Sequence, residues 1–149
     1  MLDFGWHLRG SVPLVGVSRG VTALDRVEDW LESQRKTVSE RSSDYLVFND
    51  PLWNNHFGPN WLAMSIYDHG RFWIEQGIDE QRLRYDLRSL HGMVFCLFGA
   101  LMFFLFGLAG GGLLDGIKYA VGAFAWLYGT NLVLALVRVP NAIRKAVTD

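Results

Sequence analysis

The sequence has a single cysteine, Cys96, so an intrachain disulfide and a cysteine-based metal site are both excluded. It also lacks a basic stripe. Its formal net charge is −1, which argues against nucleic acid as a partner. The first residues show no basic segment followed by an apolar core, so no secretory signal peptide is predicted. We therefore expect the N-terminal ninety or so residues to stay on the cytoplasmic side, where they are made.

The spacings typical of catalytic and metal sites are missing as well. There are four histidines: His7, His56, His69 and His91. None of them has the H-x-x-x-H or H-E-x-x-H spacing of a zinc site. His56 could pair with Asp50 or Asp68 as a general base, but no nucleophile or oxyanion donor set accompanies it. The sequence therefore favours a non-enzymatic role without a cofactor or a metal.

Charge is nearly absent from the C-terminal part of the chain. Residues 93–114 and residues 119–137 contain no charged side chain. The first run exceeds, and the second approaches, the roughly 20 residues that a helix needs to cross a bilayer core. The soluble part of the chain is too small to bury both. We therefore predict a transmembrane helical hairpin over residues 89–138, with helices at about 90–109 and 117–137 and a glycine-rich turn between them.

The charges that flank the two apolar runs predict how the hairpin is oriented. Arginines precede the first run, at Arg82, Arg84 and Arg88, and basic residues follow the second, at Arg138, Arg144 and Lys145. The turn holds one acid and one base. The positive-inside rule then predicts a multi-pass inner-membrane protein with both termini in the cytoplasm, and residues 139–149 as a basic cytoplasmic tail.

Small residues recur along the two apolar runs at spacings that allow helices to approach closely. They are Gly107, Gly111, Gly122, Ala125 and Gly129. Asn131 is the one strongly polar residue of the second run. An amide in lipid needs a hydrogen-bond partner, in its own helix, the other helix or a second copy of the protein. We interpret these six residues as helix-packing positions, because no acid or base lies at mid-depth to form a transport path.

Residues 1–88 are predicted to form a cytoplasmic α+β domain. The pattern indicates a strand at the N-terminus, one helix over about 21–36, and then four or five strands, giving one helix on a mostly antiparallel sheet of five or six strands. The run Asp68-His69-Gly70 is predicted to be a tight hairpin turn between strands over about 61–67 and 71–75. The last strand, at 82–88, alternates with Leu83, Tyr85 and Leu87 on one face and leads almost directly into the first apolar run.

Two groups of residues in this domain are candidate binding sites. The loop over residues 50–61 carries Trp53, His56, Phe57 and Trp61. Its aromatic side chains suit a protein partner, the bilayer interface or one end of the core. Arg82, Arg84 and Arg88 lie on the polar face of the last strand, where they could bind anionic lipid headgroups.

These patterns favour a non-enzymatic accessory or assembly subunit of a membrane complex. The expected partners are the lipid bilayer and a protein, either a different chain or further copies of this one. Two alternatives stay open. The domain could sense lipids or a small ligand at the membrane surface, or the hairpin could oligomerise as a membrane-active effector.

Overall fold

The computed structural model describes residues 6–14, 20–50, 63–78 and 80–148. Five strands and three helices follow one another along these residues. The strands are β1 (His7–Leu14), β2 (Val38–Arg41), β3 (Tyr45–Asn49), β4 (His69–Gln76) and β5 (Gln81–Arg88). The helices are α1 (Gly20–Ser33), α2 (Leu90–Gly111) and α3 (Leu113–Thr148).

The five strands form one open antiparallel sheet in the order β1-β5-β4-β3-β2. β2 to β5 follow one another as a meander, and β1 joins the sheet beside β5. The predicted α+β class with a mostly antiparallel sheet is confirmed. The strand predicted at 82–88 is also confirmed, because Leu83, Tyr85 and Leu87 alternate with polar residues and are buried on one face.

The turn predicted at Asp68-His69-Gly70 is wrong. His69 and Gly70 already belong to β4, and the turn lies earlier, over residues 63–66. Gly70 pairs with Phe48 on one side and Leu87 on the other, and their side chains fill the place that a Cβ at Gly70 would take. The glycine therefore makes room for two core side chains inside the sheet. It does not serve a positive φ.

One face of the sheet carries the hydrophobic core. α1 packs on it with an apolar stripe at the spacing of helix turns, formed by Ala23, Leu24, Val27 and Leu31, all fully buried. α1 ends at Ser33, earlier than predicted, and Arg35 follows with a φ of 59°. Lys36 and Gln34 hydrogen bond back to the last helical carbonyls, which closes the helix end.

The C-terminal end of α3 completes this core. Val139, Ile143 and Val147 recur every fourth residue and are almost completely buried, and Ala135 precedes them on the same face. The segment packs beside α1 and over β1. Arg26 of α1 donates to the Val147 carbonyl at 2.6 Å, which caps the last turn. Residues 139–148, predicted to be a tail, are thus part of a helix that covers the sheet.

α2 and α3 pack against each other as a hairpin. By length and composition, both are apolar and long enough to cross a membrane. Most of their large apolar side chains face outward, including Phe106 at 71% exposure and Trp126 at 74%. α3 has 36 residues, or about 54 Å, so it extends well beyond one bilayer core.

The backbones of the two helices approach closely at Gly107. A Cβ there would lie 2.6 Å from Tyr119 Cδ2 and 2.8 Å from the Gly116 Cα. A side chain at this position would therefore force the helices apart. At Gly122, by contrast, a Cβ would meet nothing within 4 Å.

We expect Gly107→Val to destabilise the hairpin by about 1–3 kcal/mol, because overpacking against backbone atoms cannot be relieved by a side-chain rotation. The matched control, Gly122→Val, should change it by less than about 0.5 kcal/mol. The stability of the hairpin is measured from the distance between one spin label on α2 and one on α3 as denaturing detergent is added. Equal effects of the two substitutions would contradict the packing described here.

Candidate functional site

Asp68 joins the sheet to the start of α2. Its side chain is 1% exposed and accepts two hydrogen bonds from Arg88, at 2.8 and 3.0 Å. The backbone N–H of His91, in the first turn of α2, donates to its other oxygen at 3.3 Å. A carboxylate at a helix N-terminus is stabilised by the free N–H groups and the helix dipole. Since Ser89 alone separates β5 from α2, the junction has no flexible linker.

A second buried ion pair lies between Lys36 and Asp50. The ammonium is 2.5 Å from Asp50 Oδ2 and 2.7 Å from the Tyr67 carbonyl oxygen, and the two side chains are 6% and 11% exposed. The Asp50 N–H donates in turn to the carbonyl of Asp68, at 2.7 Å. The two pairs thus form a connected polar layer at the end of the sheet that faces the hairpin, here called the hairpin end.

The face of the sheet opposite the core is polar, and no element among the described residues packs on it. Alternation along the strands places five arginines there: Arg9, Arg71, Arg82, Arg84 and Arg88. The carboxylates of the strands on this face are Glu40, Glu75 and Asp86. We call it the open face. Asp68 and Glu80, just before β4 and just before β5, pair with Arg88 and Arg82, so carboxylates and arginines are equal in number around this face.

Carboxylates pair with most of these arginines. Arg84 lies 2.6 Å from Glu75, and Arg82 lies 2.6 Å from Glu80 in the adjoining turn. Asp86 accepts from Arg9 and from His7, both at 2.7 Å. These pairs are partly or largely exposed, so each stabilises the fold by about 1 kcal/mol at most.

Arg71 differs from the other arginines of the open face. Its guanidinium lies over the rings of Tyr45, at 5.2 Å, and Trp73, at 5.9 Å, and Tyr45 and Trp73 are directly paired across β3 and β4. In the described part of the chain no carboxylate lies within ion-pair distance of it. An exposed arginine held over aromatic rings keeps its fork of N–H donors available for a planar acceptor.

Two titratable groups near the hairpin end have shifted pKa values. Burial raises the pKa of Asp86, but hydrogen bonds from His7 and Arg9 outweigh it and hold the pKa below its usual value. Burial lowers the pKa of His69, and the neighbouring Arg88 guanidinium lowers it further. His69 is therefore neutral under conditions where an exposed histidine is partly charged.

We expect His69 to titrate below 6.5 when its ring resonances are followed by NMR. Because its pKa is lower in the folded than in the unfolded chain, protonation favours unfolding. The stability that neutral His69 contributes is present above 6.5 and is lost as the pH falls. His69→Gln should reduce this pH dependence. A midpoint at or above that of an exposed histidine would contradict the environment described here.

The three predicted headgroup arginines occupy different positions along β5. Arg88 lies at the hairpin end, whereas Arg82 is six residues away, about 20 Å along an extended strand. All three pair with carboxylates, and Arg88 is held by Asp68. Their role in binding lipid stays a prediction, and the geometry favours Arg88 over Arg82 and Arg84 for it.

The predicted helix-packing residues fall into two groups. Gly107 and Gly111 face α3 within the hairpin, where Gly107 approaches Gly116 and Gly111 approaches Asp115. The second group lies on the outer side of α3, where a groove of about 560 Å³ is lined by Gly122, Ala125, Trp126, Gly129, Thr130, Val133 and Leu134. The predicted packing role of this second group is therefore a contact with another molecule, and it stays a prediction.

Asn131 does not hydrogen bond to α2. Its side-chain amide donates to the Leu127 carbonyl of its own helix, at 2.8 Å, and the residue is exposed. The aromatic loop residues Trp53, His56, Phe57 and Trp61 lie outside the described residues. Among residues that are described, no group of three or more His, Cys, Asp or Glu side chains could hold a metal ion.

Comparison of the sequence with models of known protein families finds no match, and comparison with curated proteins finds no similar sequence. Function must therefore be argued from the geometry alone. Sequence reasoning missed Arg71 and its two aromatic neighbours. The signal was present in the alternation of Arg71 and Trp73 with Phe72, which puts both polar-face residues on one side of a strand.

Proposed function

We propose that this protein is a two-pass inner-membrane protein whose cytoplasmic domain binds a protein partner, as a non-enzymatic accessory or assembly subunit. The observation that carries the proposal is the continuity of α3. It runs from the outward-facing apolar hairpin into the core of the sheet domain, where Val139 and Ile143 are fully buried. A domain joined in this way is held in a fixed orientation beside the bilayer.

The apolar exterior of the hairpin supports its insertion into a bilayer. Soluble monomers rarely expose continuous apolar patches larger than a few hundred Å². Here the exposed large side chains of α2 extend through four helical turns, from Val94 to Leu108. Lipid satisfies such a surface, and an α-helix bonds the backbone polar groups of its interior internally, as a membrane span requires.

The open face supports the binding role. Among the described residues α1 and the end of α3 pack on one face of the sheet, and in this proposal the other face is turned to the cytoplasm. Arginine, tryptophan and tyrosine, the residue types that dominate binding energy at protein interfaces, lie together there at Arg71, Trp73 and Tyr45. An enzyme would instead need a nucleophile or a base aligned in a cleft.

The orientation is tested by cysteine labelling in a Cys96→Ser background. We expect a membrane-impermeant maleimide added outside spheroplasts to label Leu113→Cys, at the start of α3 beside the hairpin turn, and not Ser39→Cys, on β2. The basic residues on both sides of the hairpin predict this result. Labelling of Ser39→Cys from outside would reverse the orientation.

The partner is tested by purification from native membranes in mild detergent. A protein should co-purify in constant ratio with the full-length chain. A lone monomer, with no protein and no second copy attached, would contradict the proposal.

A further inference from the structure

The geometry points to a proton-sensitive joint between the sheet domain and α2, in which protonation of His69 loosens the hold of Asp68 on the first turn of α2. Acidification on the side of the membrane that holds the domain would then free the start of α2 while α3 stays attached. This regulatory property goes beyond the partner-binding role proposed above and does not depend on it.

The two helices of the hairpin are attached to the domain in different ways. α3 continues as one helix into the core, where Val139 is fully buried, so apolar packing holds it. The first turn of α2 is held instead by the Asp68 carboxylate, which accepts from the His91 N–H at 3.3 Å, and by the close approach of Gly92 to Ile66. The hold on α2 therefore depends on the charges around Asp68.

A row of three residues that can carry positive charge crosses the sheet beside Asp68. His7 on β1 and His69 on β4 are the directly paired neighbours of Arg88 on β5, one on each side. Directly paired residues of antiparallel strands have Cβ atoms about 4.5–5.5 Å apart on the same face, and like charges there repel. Because Arg88 is always charged, each histidine that takes up a proton adds repulsion to this row.

Asp68 is the carboxylate that connects this row to α2. Its Oδ2 accepts two hydrogen bonds from Arg88, at 2.8 and 3.0 Å, and its Oδ1 accepts from the His91 N–H. The side chain is 1% exposed, so water does not replace a partner that is lost. A charged His69 attracts Asp68 and repels Arg88. It therefore competes for the carboxylate that caps α2.

Charged and titratable groups face His69 from the neighbouring strands and from α2. They are Arg88 and Asp86 on β5, His7 on β1, Arg71 on β4, Asp68 before β4 and His91 on α2. Asp50, after β3, is neutralised by Lys36, and Asp86 accepts from both His7 and Arg9.

Together these surroundings exclude a proton from His69 while the joint is closed. Burial is the largest cause that lowers the pKa of His69, and the Arg88 guanidinium is the next. When the joint opens, both causes weaken and the proton is taken up. Falling pH therefore favours the open state, and neutral or higher pH favours the closed one.

The joint is tested with spin-label distances in full-length protein, in phosphatidylcholine nanodiscs and a Cys96→Ser background. A label at Ser39→Cys, on β2, is paired with one at Val94→Cys on α2 or, as the matched control, with one at Val137→Cys on α3. All three positions are exposed. We expect the distance distribution from β2 to α2 to broaden as the pH falls, with a midpoint below 6.5. The distribution from β2 to α3 should stay unchanged.

Substitutions at His69 show whether this histidine is the group that responds. His69→Gln, which stays neutral, should abolish the broadening. His69→Lys, which is charged at neutral pH, should produce it without acid. His91→Gln removes another histidine beside Asp68 but keeps the backbone N–H that Asp68 accepts, so it should leave the transition in place.

Hydrogen exchange of the β4 and β5 amides, measured in the same samples, separates opening of the joint from unfolding of the domain. Both strands should stay protected through the transition. If His69→Lys loses this protection, the variant is unfolded and the His69→Gln result decides.

Three outcomes would overturn the inference. The first is a distribution from β2 to α2 that does not change with pH. The second is a transition that survives in His69→Gln. The third is equal broadening at the α2 and α3 labels with loss of protection in β4 and β5, which would show acid unfolding. Since no partner is present in these samples, none of these results bears on the accessory role.

Discussion

Ile143→Asp is expected to unfold the sheet domain while leaving the apolar hairpin helical. Ile143, in the C-terminal part of α3, is fully buried in the core of the sheet domain. Burying a carboxylate in place of an aliphatic side chain adds a desolvation penalty to the loss of packing, which alone costs about 2–5 kcal/mol. The total approaches the roughly 5–15 kcal/mol by which a small domain is stable.

Hydrogen exchange of the β4 and β5 amides in detergent micelles measures this effect, because these strands lie in the middle of the sheet. Asn141→Asp is the matched control. It also adds a negative charge, two residues away on the exposed side of α3, and should leave protection unchanged within about 0.5 kcal/mol. If Ile143→Asp also leaves protection unchanged, the C-terminal segment is a tail and is not part of the core.

A milder version of the same experiment reports on how well the segment packs. We expect truncation of Ile143 to alanine to cost about 2–5 kcal/mol but to leave the domain folded at low temperature. The charge substitution and the truncation therefore differ in whether any protected sheet survives, which separates loss of packing from burial of a charge.

The strand order could not be predicted from the sequence, although the strands themselves could. Alternation fixes which residues of β5 face the core, and it predicted Leu83, Tyr85 and Leu87 correctly. Nothing local specifies that β1 pairs with β5, because the paired residues are far apart in the sequence, from His7 with Arg88 to Leu14 with Gln81. Gly70 was misinterpreted for a related reason, since the two side chains that require a glycine there come from other strands.

The end of α3 was missed because two signals compete in the same residues. Ala135, Val139 and Ile143 continue a spacing of four, which indicates a buried helix face. Arg138 lies between Ala135 and Val139, Arg144 follows Ile143, and these charges indicate the end of an apolar run. The charges mark where a bilayer would end, and the spacing shows that the helix continues beyond it. The continuation of the helix is confirmed, the bilayer boundary stays a prediction, and the two signals describe different faces of one helix.

The polar layer at the hairpin end was missed for want of distance information. Lys36, Asp50 and Asp68 are far apart in sequence, and each looks like an ordinary surface residue. Because Lys36 and Asp50 are buried, breaking their ion pair would leave an uncompensated charge inside the protein. The exposed pair Arg84–Glu75 has nearly the same separation, 2.6 Å against 2.5 Å, but its side chains are 47% and 43% exposed.

Asp50→Ala is therefore expected to destabilise the domain by about 3–5 kcal/mol, because it leaves the buried Lys36 ammonium without a counter-charge. Lys36→Met should also be destabilising, because it leaves the Asp50 carboxylate without its ammonium partner. The double variant Lys36→Met/Asp50→Leu should recover to within about 1–2 kcal/mol of the wild type, since it removes both buried charges and adds apolar volume. The free energy of unfolding of all three variants is measured by urea unfolding in micelles, monitored through hydrogen exchange of the β3 and β4 amides.

The matched control is the exposed pair. Glu75→Ala should cost less than about 1 kcal/mol, and the cycle with Arg84→Ala should give a coupling of similar size. If Asp50→Ala costs no more than Glu75→Ala, water reaches the Lys36 ammonium and the layer is not buried. If the double variant is as unstable as Asp50→Ala, the pair does more than neutralise its own charges. Its hydrogen bonds would then also hold the hairpin end in its folded geometry.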